Sequence, residues 1–79
     1  MAARSLNDIR TELQRMQGLI DQLESQIDNA EKELEKQSVP VQERLRLLHD
    51  REARLVRLYG KEKALQQELE QRTFVILLQ

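Results

Sequence analysis

The sequence predicts an all-α fold, an antiparallel two-helix coiled-coil hairpin that self-associates into a dimer or a four-helix bundle. Three observations lead there. Apolar residues recur at alternating steps of three and four along the first half; the one proline, Pro40, falls near the midpoint; and charged residues interrupt the apolar stripe of the second half in a pattern that suits antiparallel pairing. The composition agrees, with 34% charged, 39% hydrophobic and 3% aromatic residues, a balance suited to long helices and poor for sheets or pockets. A chain of 79 residues is at most one small domain. Two helices of that size bury only a narrow seam, so a partner or a second copy is expected.

The first helix is expected over about 5–37. Ser5 followed by Asp8 resembles a capping box with Asp in place of Glu. With Leu6 taken as heptad position a, the a and d positions are Leu6, Ile9, Leu13, Met16, Ile20, Leu23, Ile27, Ala30 and Leu34, more than four heptads without a break. The turn is expected over about 38–40. Pro40 has no N–H to give and fits poorly inside a helix, while Ser38 is a good N-cap that places Pro40 in the first turn of the second helix. That helix is expected over about 40–79, with a rougher stripe. Val41, Leu48, Leu55, Leu58, Leu65, Leu69 and Ile76 hold a and d positions, and Arg44, Arg51, Glu62 and Arg72 hold the others.

Those four charges choose the pairing. The heptad phase survives the proline, so a kinked helix in a parallel dimer is the competing arrangement, but it would stack each charge on its own copy inside the seam. Antiparallel pairing within one chain, with facing residues summing to 78, sets Leu34 against Arg44, Ile27 against Arg51, Met16 against Glu62 and Leu6 against Arg72. Each charged stem can then lie along an apolar neighbour with its head in water. Charge also differs between the arms. Residues 1–39 carry five bases and eight acids, a net of −3, and residues 40–79 eight bases and six acids, a net of +2. Flanking charges support the register only weakly: Glu12 and Lys61 fall close, but so do Glu24 and Glu52.

Chemistry is not expected. The absence of cysteine removes disulfides, thiolate metal sites and cysteine nucleophiles together. His49, the single histidine, falls at an outward b position without a second ligand or nucleophile at useful spacing. Neither a glycine-rich phosphate loop nor a metal-binding spacing occurs, so the chain reads as non-enzymatic, with no cofactor or small-molecule substrate. Nor does it read as secreted or membrane-spanning. The start lacks an apolar leader core and the longest apolar run, residues 74–78, is too short for a span, so an intracellular, cytoplasmic protein is expected. The second half holds a basic cluster that includes Arg44, Arg46, Arg54 and Arg57, but acids are interleaved and aromatic stacking platforms are missing, so nucleic acid is an unfavoured partner.

What remains is binding to protein helices. Near the turn, Val39, Val41, Leu45 and Leu47 widen the apolar face beyond an a/d seam, either as a local cap or as a docking patch. At the other end, Phe74, Val75, Leu77 and Leu78 are apolar where the seam needs only Ile76. A helix apolar all round is normally buried all round, so this end is expected to be covered in an oligomer, by residues 1–9 of a neighbour or by further sequence; its β-branched residues also permit fraying or strand pairing. Gly18 and Gly60 face one another across the register at outward f positions, in the layer of Met16 and Glu62. They are candidate hinge residues or simply tolerated glycines on a wet face. The expected function is an oligomerisation and scaffold segment of a larger cytoskeletal, centrosomal, kinetochore or trafficking protein. Alternatives are an effector or adaptor hairpin offering a helix face to a small GTPase, and a weaker case for electrostatic binding of an acidic polymer.

Overall fold

A computed structural model describes residues 4–78, with the side chain of Leu78 outside the description. Helix α1 spans Leu6–Lys36 and helix α2 spans Val41–Leu78. The two pack against each other to form a hairpin 59 Å long and 23 Å across. The start of α1 lies beside the end of α2, where Arg4 donates to the Glu68 carboxylate at 2.7 Å.

The beginning of α1 has the Ser5 half of the expected capping box. Ser5 is extended, and its Oγ accepts the Asp8 N–H at 3.1 Å, while its carbonyl accepts the Ile9 N–H at 3.1 Å. Two donors of the first turn are thereby satisfied.

The turn differs from the expectation. Ser38 does not cap α2; it closes α1. The Ser38 N–H donates to the Glu35 carbonyl and the Val39 N–H to the Leu34 carbonyl, both at 3.0 Å, and Ser38 adopts φ 59. This is the Schellman arrangement, in which the residue after the C-cap takes the left-handed conformation so that the last carbonyls find donors. Val39 is half-buried, as is Leu34, the two positions where that motif carries its apolar contact. Pro40 stands just outside α2, its carbonyl accepting the Arg44 N–H at 3.0 Å, so the missing proline N–H costs nothing. Serine carries a Cβ penalty in the left-handed region that glycine escapes. Ser38→Gly is therefore expected to stabilise the hairpin by about 0.5–1 kcal/mol, read as a rise of the melting temperature, and Ser38→Val to lower it.

The seam keeps to the heptads. The buried residues are Ile9, Met16, Ile20, Leu23, Leu48 and Leu65, all at a or d positions. Surface grooves shared by the helices bring Ala30 beside Leu48 and Leu6 beside Arg72, pairs that each sum to 78. Packing is uneven along the rod. Ile9, Met16, Ile20 and Leu65 form one cluster with Leu13, Leu55, Leu58 and Leu69 against it. Towards the turn Leu48 is buried and Ile27 and Leu34 are half-buried, in the stretch where α2 also supplies Arg51 and Arg44.

At its far end α2 is helical to Leu78. The Thr73 hydroxyl donates to the Leu69 carbonyl at 2.8 Å, which satisfies that side chain on the helix itself.

Candidate interaction surfaces

The first candidate surface is the tip. Val41, Leu45 and Leu47 are each more than half exposed, whereas Val39 is half-buried in the turn. The structure thus divides the expected patch: Val39 belongs to the closure of α1, and the other three side chains face water from the first two turns of α2. A groove of about 330 Å³ lies between Ala30, Leu34, Leu47 and Leu48, with Glu33 and Arg51 at its edge.

The second is the open end. Phe74, Val75 and Leu77 are exposed, and so is Ile76, at 55%. Heptad spacing alone assigns Ile76 to the seam. In this register its opposite number is residue 2, outside the described residues and ahead of the first residue of α1. Leu78, which belongs to this patch by sequence, has its side chain outside the described residues. A groove of about 470 Å³ runs between Leu6, Arg72, Val75 and Ile76.

Beside that groove is a charged feature that heptad spacing does not reveal. Glu12 and Glu68 face each other across the helices, two carboxylates at g positions. Arg4 resolves the repulsion, with one guanidinium nitrogen on Glu12 and the other on Glu68, and Arg72 reaches Glu68 from behind at 3.4 Å. Glu12 therefore takes its cation from Arg4, and the Lys61 suggested by the register is not its partner. All of these side chains are about a third or more exposed, so each pair is worth at most about 1 kcal/mol. What the bridge sets is geometry: it ties the start of α1 to the last turns of α2.

The interrupting charges have diverse fates. Arg51 is exposed, and Arg72 is half-buried with its head on Glu68. Arg44 is half-buried, and its Nε is enclosed without a hydrogen-bond partner.

Gly18 and Gly60 lie in uninterrupted helix, and a Cβ built on either meets nothing within 4 Å. The layer between them is closed, since Met16 is buried. Tyr59, Leu19 and Val56 are exposed along the middle of the rod. Among the described residues no cluster of His, Cys, Asp or Glu could hold a metal ion, and no helix is long and apolar enough to cross a membrane. Comparison with protein-family models, with curated proteins and with solved structures finds no match.

Proposed function

We propose that this hairpin is a non-catalytic coiled-coil segment that holds protein helices together, an oligomerisation and scaffold element within a larger intracellular assembly of the cytoskeletal, centrosomal, kinetochore or trafficking kind. The observation that carries this reading is apolar surface at both ends of a rod whose interior is thin. Val41, Leu45 and Leu47 at the tip and residues 74–77 at the open end are each more than half exposed. Apolar side chains exposed in such numbers on a small protein mark contact with another protein. The partners are helices, the second copy of the chain foremost, because a helical hairpin adds further helices to its grooves by the same interdigitation that forms its own seam.

A different face favours a second reading. Val56 and Tyr59 are exposed midway along α2, away from both ends. An adaptor hairpin would present such a face to a regulator such as a small GTPase.

Light scattering over a concentration series separates the two. In the scaffold reading the mass rises above that of one chain with concentration, and Val75→Glu with Leu77→Glu returns it towards 9.4 kDa. An adaptor keeps its mass after that change. Monomer mass at every concentration would remove self-association from the proposal.

A further inference from the structure

Resting on that self-association, we infer that two copies pair antiparallel through one particular long side of the hairpin, with the two-fold axis beside Lys61. The heptads give the hairpin two long sides. In an antiparallel pair e positions flank e and g flank g, so one side is edged by e residues with b behind, and the other by g with c behind. Three grooves between the helices open on the g side. Each is lined by seam residues together with g or c residues: Val75 at the open end, Leu19 and Arg54 in the middle, Leu47 and Glu33 near the tip. Exposed apolar residues occur on both sides, Leu19, Leu47 and Val75 on this one and Leu45, Val56, Tyr59 and Leu77 on the other, so the grooves and the charge make the choice.

Charge distinguishes the two sides further. The e and b positions hold two bases, Arg10 and Lys63, against seven acids, five of them on α1 between Asp21 and Glu35, a net of −5. Two such sides repel when brought together. The g and c positions hold five bases and six acids, a net of −1, and two of these can meet without that penalty.

Direction is set by the g positions of α2, which read Leu47, Arg54, Lys61, Glu68 and Val75. Paired antiparallel about Lys61, Leu47 meets the second copy's Val75 and Arg54 meets its Glu68, and the two-fold makes each contact twice. Exposed Leu47 then enters the groove beside the second copy's Leu6 and Val75. One like-charged pair remains, Lys61 with its own mate, and lysine stems can diverge to water. The parallel arrangement is worse. It sets α1 of one copy on α2 of the other at equal heights, so Leu47 of one copy and Val75 of the other lie at opposite ends of the rod and cannot meet. The size is sufficient: a side 59 Å long and 23 Å wide exceeds the roughly 800 Å² that a standard interface takes from each partner.

The chain has no cysteine, so single introduced thiols report the geometry directly. Oxidation of Lys61→Cys at concentrations where the protein associates is expected to give a disulfide-linked dimer in most of the material. Val56→Cys, on the acidic side, stays unlinked. Leu47→Cys alone also stays unlinked, because the two copies of residue 47 lie 14 residues on either side of the axis, about 42 Å apart at 1.5 Å per residue. Mixed with Val75→Cys it gives the linked heterodimer. Linking of Val56→Cys in place of Lys61→Cys, or of Leu47→Cys by itself, overturns this interface while leaving self-association standing. A chain that scatters as a monomer at all concentrations overturns both.

Discussion

Leu65→Ala is expected to cost the hairpin about 2–5 kcal/mol, and Leu34→Ala about 1 kcal/mol, although both remove the same atoms from the same seam. Leu65 is buried and clusters with Ile9, Met16 and Ile20, where Ile9 has no exposed surface at all. Truncation there leaves a cavity that two long helices cannot close without giving up contacts on either side. Leu34 is half-buried and lines an open groove, so its truncation returns less apolar surface to water and leaves no enclosed cavity. A domain of this length is worth about 4–12 kcal/mol in total, so Leu65→Ala removes a large share and broadens or abolishes the melt. Far-UV circular dichroism against urea measures both variants, at one low protein concentration so that association does not mask the difference. Equal losses would show the tip half of the seam to be packed as firmly as the open half.

The seam is legible in the sequence because heptad spacing acts over many residues at once, and local exceptions do not disturb it. Nine apolar a and d positions in α1 outvote any single propensity, and the Ser5 cap is a purely local signal. Ser38 misleads because two helix ends compete for it. Its side chain suits the start of α2, but the backbone carbonyls of Glu35 and Leu34 need donors at the end of α1, and a left-handed residue at 38 supplies them. Nothing in residue type announces a serine with positive φ. The role of Arg4 is hidden for a different reason: it precedes the helix, and its long side chain reaches two acids that are eight and sixty-four residues away. The apolar tip and open end are visible as composition, but the division of the tip patch, with Val39 inside the turn and Leu47 outside, depends on how the turn is closed. That the grooves share one side emerges only when the register is applied to both helices together.

Replacing Gly18 and Gly60 together by alanine is expected to stabilise the hairpin by about 2 kcal/mol, the sum of about 1 kcal/mol at each. Both lie in helix interiors, where glycine gives up the most backbone freedom on folding, and a new Cβ meets open space at either position. The two sites are on outward faces of different helices without a shared neighbour, so their effects add. For a domain of this size the melting temperature should rise by about 8–16 °C. This pair also tests the hinge reading, because a hinge and a tolerated glycine respond oppositely outside the melt. Hydrogen exchange of residues 14–20 and 58–64 is the second measurement. Where the glycines serve only as tolerated positions, these segments are already as protected as their neighbours in the natural chain, since Met16 and Ile20 are buried between them. Where they form a hinge, the natural chain exchanges faster there and the double variant slows it, and association with helices that need the bend weakens even as the fold gains stability.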